Sequence, residues 1–276
     1  MGNAQQTEKA WYNILSNVML ISSFSSDSQI LFGLWTYFRI FAKIFQPNMD
    51  AFQSLDAAKK EQLLNYLLEF VSDNKKQKFA EILQHRTRHL TLVLEDIFQP
   101  HNASAVLRTC DCFGIQDVHI IEQKNRYIVN PDIALGASKW LSIHTYSDTP
   151  STFKALRSKG YRIVATSPHK DDCLINELPL EEKTALVFGT ELEGLSEYSL
   201  ANADAFVKIP MYGFTESFNI SVSAAISLYQ LSERLRSSKI NFHLSQDELI
   251  DIKLGWAKST VKMAEPLIKD FLSKNL

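Results

Sequence analysis

The spacing of apolar residues divides the chain into a helical stretch followed by a region of mixed texture. Between residues 62 and 83, apolar residues recur at helical spacing, with a break at Ser72-Asp73-Asn74 where a second helix can be capped. This spacing predicts a pair of helices. The pattern then changes to short β-rich runs separated by helix-like segments. The predicted strands are 90–94, 118–122, 161–166, 185–190 and 205–210.

Alternation of strands and helices is typical of an α/β fold with a parallel sheet flanked by helices. In open sheets of this kind, ligands bind beyond the carboxyl ends of the strands. We therefore expect the chemistry in the loops after Leu94, Thr166, Thr190 and Pro210.

The C-terminal part is predicted to be helical over 219–236 and again within 245–271. In the first of these helices we expect an inward face made of Val222, Ala225, Ile226 and Tyr229, with Leu228 as a further candidate. Residues 1–48 are rich in Phe, Trp and Ser without clear periodicity, and we interpret them as an extension from an upstream start. The predicted divisions are an N-terminal extension (1–48), a helical segment with a basic patch (49–88), an α/β domain (89–236) and a C-terminal helical extension (237–276).

Composition narrows the class of protein. A chain of 276 residues with 45% hydrophobic residues can form a globular core, and its net charge of -2 leaves nucleic-acid contact to a local basic patch. Three cysteines and no pair of C-x-x-C motifs predict neither a disulfide framework nor a zinc site. Since we also find no signal peptide or membrane span, we expect a cytoplasmic protein without membrane or metal partners.

The basic patch is the best candidate for a phosphate-facing surface. It consists of Lys75, Lys76, Lys78, Arg86 and Arg88, with Glu81 as the single acid between them. A solvated helix face accounts for it equally well. Lys139, in the segment 134–140, is a second candidate for phosphate contact, although Trp140 beside it is equally suited to anchoring an ordinary turn.

The nine glycines exclude two common nucleotide sites. No two are separated by a single residue, so the dinucleotide fingerprint is absent. Gly189 and Gly194 have the spacing of a phosphate loop, but Leu195 replaces the necessary lysine, and Glu191 and Glu193 would repel phosphate. A glycine-flanked acidic turn suits a ligand with a cationic or hydrogen-bond-donating part, and S-adenosylmethionine is one such ligand.

Three segments in this order resemble the SpoU/TrmH group of the SPOUT methyltransferases. They are HNASAVLRTCDCFG at 101–114, LVFGTELEGLS at 186–196, and IPMYG at 209–213 running into SFNISVS at 217–223. The resemblance covers about residues 85–236. It implies an α/β fold with a trefoil knot, a rare exception to the rule that chains avoid threading. It also implies methyl transfer from S-adenosylmethionine to a ribose 2′-hydroxyl of tRNA, at guanosine 18 of the D-loop, by a homodimer.

The resemblance also assigns site residues. The cofactor would be lined, mainly through backbone, by Thr166, Gly189, Ile209, Met211 and Phe218. The family usually has Asn in place of Thr190 and Leu in place of Phe218, and both changes bear on the volume of the cofactor pocket.

By the same resemblance Arg108 is the central catalytic residue, and Asn102, Glu191, Ser217 and Asn219 organise the site. Since a guanidinium stays protonated in proteins, we expect Arg108 to position a substrate phosphate rather than to act as a base. Without the motif, a surface ion pair of Arg108 with Asp111 or Glu95 would be the simpler interpretation.

Helical spacing over 103–113 separates the residues of this segment into two faces. It predicts an apolar face of Val106, Leu107, Cys110 and Phe113, with Ser104, Arg108 and Asp111 on the other. Cys110 and Cys112 are expected to pack as small hydrophobic residues rather than to bind metal.

Three alternatives to the tRNA enzyme differ in how well the sequence supports them. A ribosomal RNA 2′-O-methyltransferase of the same fold and a non-catalytic RNA-binding relative stay open. A nicotinamide-dependent oxidoreductase is disfavoured because the glycine fingerprint is absent.

Overall fold

Helices and strands alternate through the part of the chain that the computed structural model describes, which is residues 55–97, 99–124, 136–167, 173–191 and 193–275. The elements below belong to one compact unit, Ala57–Leu276. The predicted extension 1–48 lies outside the described residues, and the domain boundaries stay a prediction. None of the helices in the described ranges is long and apolar enough to cross a membrane.

A parallel sheet forms the centre of this unit. Its strands are β1 (Leu90–Glu95), β2 (Asp117–Ile121), β3 (Ser142–Tyr146), β4 (Arg162–Thr166), β5 (Cys173–Leu174), β6 (Thr184–Phe188) and β7 (Ala205–Lys208). The strand order is β3-β2-β1-β6-β4-β7-β5, with every neighbouring pair parallel. The parallel sheet and all five predicted strands are confirmed. This order is consistent with the expected trefoil knot, but the threading itself stays a prediction.

The burial and length of each strand explain whether it could be predicted from the sequence. Strands β1 and β6 lie in the middle of the sheet and are buried along their whole length, so they read as continuous apolar runs. Strand β3 was missed because it lies at the edge of the sheet and is half-exposed with polar residues, and β5 was missed because it has only two residues.

Helices cover the sheet and extend beyond it. They are α1 (Ala57–Leu68), α2 (Asp73–Leu83), α3 (Pro100–Cys112), α4 (Thr149–Ser158), α5 (Glu197–Asn202), α6 (Ile220–Arg236), α7 (Gln246–Thr260) and α8 (Ala264–Asn275). The predicted pair α1 and α2 is confirmed, as is the C-terminal helical region. Helix α7 begins with a capping box in which the side chains of Ser245 and Glu248 each bond the other's backbone N–H.

Helices α3 and α6 pack together on one face of the sheet. The inward face predicted for α6 is wrong except for Leu228, the further candidate, which is confirmed. Ala224, Leu228 and Leu231 are fully buried, whereas Val222 and Tyr229 are 43% and 59% exposed. Helix α6 is apolar on two sides, so periodicity alone does not say which side meets the sheet. An apolar stripe therefore remains on its outer surface.

On α3 most of the predicted apolar face is confirmed. Val106, Leu107 and Cys110 are fully buried and Phe113 packs at the edge of the core. Ser104, expected on the other face, is also fully buried. Burial raises the pKa of the Cys110 thiol, whereas Cys112 is exposed and does not pack as a core residue.

A buried histidine on β2 makes stability depend on pH. The ring of His119 stacks on His144 with centroids 4.8 Å apart, and its Nδ1 lies 3.1 Å from the hydroxyl of Tyr146. Burial and then the nearby His144 and Lys159 lower the pKa of His119 to about 3, although Asp117 opposes the shift. The folded state therefore keeps the ring neutral, while the unfolded ring takes up a proton below about pH 6.5.

We expect the free energy of unfolding to fall as pH drops from about 6.5 toward 3. The contribution of His119 to this loss is about 2 kcal/mol between pH 7 and pH 5. Urea unfolding of His119→Asn should show a weaker decline over this interval than wild type. Replacing the exposed His243 by asparagine is the control and should leave the slope unchanged. An equally steep decline in His119→Asn would contradict the neutral buried ring.

Candidate functional site

A tight turn follows β6 at the carboxyl edge of the sheet. The backbone N–H of Thr190 donates to the carbonyl of Gly194 at 2.9 Å, and Gly194 returns the bond at 3.1 Å. A Cβ added to Gly189 would lie 2.1 Å from the Gly194 oxygen, and Gly194 itself has a φ of +70°. The two glycines flanking the acidic residues are therefore required by backbone packing and by conformation.

Three side chains converge beside this turn. Asn102 at the start of α3 donates to Glu191 Oε1 at 2.9 Å, and Asn219 donates to the same oxygen at 2.6 Å and to Asn102 Oδ1 at 3.1 Å. Asn219 also caps α6, because its Oδ1 accepts from the N–H and hydroxyl of Ser221. The structure thus brings together Asn102, Glu191 and Asn219, which the sequence places on separate segments.

A cavity of about 350 Å³ opens between the turn, the loop after β7 and the start of α6. Its volume lies within the range of small-molecule sites. Buried apolar side chains line one part of it and exposed carboxylates line another. The first group includes Ile175, Phe188 and Val207, and the second Glu191, Glu193 and Glu216.

Every residue predicted to line the cofactor lines this cavity: Thr166, Gly189, Ile209, Met211 and Phe218. Ser217 lines it as well. The hydroxyl of Thr166 donates to the carbonyl of Val187 at 2.8 Å, so this side chain also ties β4 to β6. The location of these residues is thus established, and their contact with a cofactor stays a prediction.

Arg108 is exposed on α3 and lines neither this cavity nor the one described below. The ion pairs considered for it are not formed. Asp111 pairs with Arg86, and Glu95 accepts hydrogen bonds from Thr149, Ser196 and Ser199. Within the described ranges Arg108 forms no ion pair.

The predicted basic patch is only partly available to phosphate. Lys78 is exposed, Lys75 lies 4.6 Å above the ring of Trp140, and Lys76 pairs with Asp73. Lys139, the separate candidate outside the patch, is also exposed. These four lysines stay predicted RNA contacts.

For Arg86 the prediction is wrong. Its side chain is 2% exposed, pairs with Asp111 and donates to the carbonyl of Ile115 at 3.1 Å. Arg88 is partly buried, with 23% of its side chain exposed, and it bridges Asp117 on β2 and Glu248 at the start of α7. Its contact with RNA stays a prediction. Both arginines connect elements of the fold, because a buried guanidinium needs a carboxylate partner.

A second cavity, of about 960 Å³, lies beside the same turn. It is lined by Asn102 and Glu191 together with Asp96, Gln99 and Lys124. Lys124 donates to Glu193 at 2.9 Å, and this bond raises the pKa of Lys124. The sequence predicted chemistry in the loop after β1, which borders this cavity, but did not indicate Asp96, Gln99 or Lys124 as lining residues. Their position along the chain could have indicated them, because they follow the carboxyl ends of β1 and β2.

No group of His, Cys, Asp or Glu in the described ranges is arranged to hold a metal ion.

Comparisons with known proteins agree on the family. The model of the SpoU rRNA Methylase family matches residues 89–229. The tRNA (guanosine(18)-2'-O)-methyltransferase of Borreliella burgdorferi is 45% identical over 199 residues, covering 72% of this chain and 91% of that protein. The protein of the same name from Thermus thermophilus is 34% identical over 167 residues, covering 60% and 86%.

Among solved structures, the A. aeolicus TrmH/SpoU tRNA modifying enzyme superimposes with a TM-score of 0.63 at 29% identity, covering 69% of this chain and 98% of that one. The family match includes the whole sheet, the glycine turn and the cavity-lining part of α6. This chain therefore belongs to the SpoU rRNA methylase family.

Proposed function

We propose that this protein transfers a methyl group from S-adenosylmethionine to the ribose 2′-hydroxyl of guanosine 18 in the D-loop of tRNA, in the cytoplasm. One observation carries the proposal: Asn102, Glu191 and Asn219 are hydrogen-bonded to one another at the edge of a cavity lined by all five predicted cofactor residues. The named activity of relatives that are 45% and 34% identical supports the choice of substrate.

The cavity fits the proposed methyl donor, which supplies an electrophilic methyl group on a positively charged sulfur. The carboxylates of Glu191, Glu193 and Glu216 give the exposed side of the cavity negative charge, which favours a cationic group. Phe188 and Ile209 offer apolar surface to a flat ring. Gly189 lets the turn approach closely, because any side chain there would meet the Gly194 backbone.

The side chains around the cavity position the acceptor hydroxyl. Asn102 and Asn219 hold the Glu191 carboxylate in one orientation, and each amide is itself fixed by a further hydrogen bond, to Gln99 and Ser221 respectively. Arg108 is proposed to hold a phosphate beside the target ribose through two parallel hydrogen bonds. Displacement at a methyl group requires the attacking oxygen in line with the leaving group, so this fixed geometry is the main contribution of the protein.

The test is methyl transfer from labelled S-adenosylmethionine to an unmodified tRNA transcript, with the product mapped by resistance to alkaline cleavage. We expect one resistant linkage, at guanosine 18. A transcript with 2′-deoxyguanosine at that position is the control and should accept no methyl group.

Ribosomal RNA is the second candidate substrate, and the description of the matching family favours it. Transfer to ribosomal RNA without transfer to tRNA would select this alternative. Cofactor binding without transfer to either RNA would select the non-catalytic RNA-binding relative.

We also propose that the protein is a homodimer. Tyr212 and Phe214 are 95% and 108% exposed, and Val222 and Tyr229 leave an apolar stripe on the outer surface of α6. Several large apolar side chains exposed in this way favour an interface. Sedimentation equilibrium should give twice the chain mass of 31.4 kDa, and Tyr229→Glu should shift the mass toward the monomer. A monomeric wild type would refute the dimer.

A further inference from the structure

A buried hydroxyl group on α6 faces the cofactor cavity and has no role in the site described so far. Ser227 is 1% exposed and lines the cavity. Its Oγ has no hydrogen-bond partner among the residues that the structure describes. A buried hydroxyl without a partner is unfavourable, and such groups are uncommon in folded proteins unless a ligand or water completes them.

The other residues that line the cavity indicate which part of a ligand Ser227 would meet. Ile175, Phe188 and Val207 line the same cavity and are at most 4% exposed, whereas Glu191, Glu193 and Glu216 are exposed. The buried side of the cavity is thus apolar with a hydroxyl, while the exposed side carries the charges. A charged amino-acid group on the buried side would lose its hydration without an ionic partner.

We propose that Ser227 is a specificity-determining contact for the methyl donor, in which its Oγ hydrogen-bonds the nitrogen edge of the adenine ring. The ring would lie among Ile175, Phe188 and Val207. Adenine combines apolar faces with an edge of alternating donors and acceptors, and a serine hydroxyl both donates and accepts. This inference rests on the proposed function, because it takes S-adenosylmethionine to be the donor.

The same helix supplies a matched control. Ser232 is 3% exposed, and its Oγ likewise has no hydrogen-bond partner within the described ranges. Unlike Ser227, it lines neither of the two cavities described above. Removing either hydroxyl therefore makes the same chemical change to α6, and only the change at Ser227 should reach the ligand.

Calorimetric titration with S-adenosylhomocysteine tests the proposal. Ser227→Ala should raise the Kd about fivefold, the effect of one neutral hydrogen bond. Ser232→Ala should leave the Kd within about twofold of wild type, an effect well below one hydrogen bond. Both variants without ligand should unfold at the wild-type temperature or above it, since each loses an unpaired buried hydroxyl.

A second ligand locates the contact. 5′-Methylthioadenosine keeps the adenine and ribose but lacks the amino-acid part, so the loss in Ser227→Ala should be the same for both ligands. A loss confined to S-adenosylhomocysteine would move the contact to the amino-acid end and overturn the proposal. An unchanged Kd for both ligands would also overturn it.

A wrong cofactor assignment can be distinguished from a wrong role for Ser227. If wild type itself bound neither ligand, the proposed cofactor would be wrong and the role of Ser227 would be refuted with it. If Ser227→Ala lowered the unfolding temperature, Ser227→Cys would decide, because it keeps the shape with a weak donor. We expect its affinity to lie between wild type and the alanine variant, and a wild-type affinity for both variants would refute the contact.

Discussion

Replacing Arg108 with alanine is expected to lower kcat for tRNA methylation by at least about 100-fold while leaving the Kd for S-adenosylhomocysteine unchanged. Arg108 is exposed on α3 and lines neither cavity, so its loss should spare the cofactor. The acceptor ribose would lose the phosphate contact that fixes it. Single-turnover rates and calorimetry on the same preparations separate the two effects.

Two further variants sharpen this test. Arg108→Lys keeps the charge but loses the bidentate hydrogen bonding. Its kcat should therefore lie between those of wild type and Arg108→Ala. Arg157→Ala removes an arginine that pairs with Asp204 on the surface, away from the cavities, and should keep its kcat. Loss of S-adenosylhomocysteine binding in Arg108→Ala would instead assign Arg108 a structural role.

Replacing Gly189 with alanine is expected to weaken S-adenosylhomocysteine binding by at least about 100-fold, because the turn that forms one wall of the cavity has to open. The added Cβ would lie 2.1 Å from the Gly194 oxygen and 2.4 Å from the Leu195 nitrogen. Both contacts are to backbone, which does not yield as a flexible side chain does. The required movement is comparable with the misplacements that cost enzymes about 100-fold.

The matched control is Gly255→Ala in α7, where a Cβ would meet nothing within 4 Å. There alanine should stabilise the protein by about 0.5–1 kcal/mol through helix propensity, with unchanged affinity. Thermal unfolding with and without S-adenosylhomocysteine reports both quantities. Wild-type affinity in Gly189→Ala would show that the turn is not part of the cofactor site.

Side-chain roles at the site were less predictable from sequence than its location. The loops after the strands were identified because parallel strands place their carboxyl ends at one edge. Arg86 was misassigned because a charge pattern does not distinguish a solvated arginine from one paired with an acid 25 residues away. Ser227 gave no sequence signal, since a serine in an amphipathic helix is common on either face.

The sequence by itself determined the α/β class, the central strands, the paired helices and the glycine turn, because each depends on local periodicity or on backbone conformation within a few residues. Tertiary structure alone decided which face of α6 meets the sheet, where Arg86 lies, and that Asn102 and Asn219 share the Glu191 carboxylate across 89 and 28 residues. Those outcomes depend on which distant surfaces exclude water together, and that choice is made only when the helices pack on the sheet.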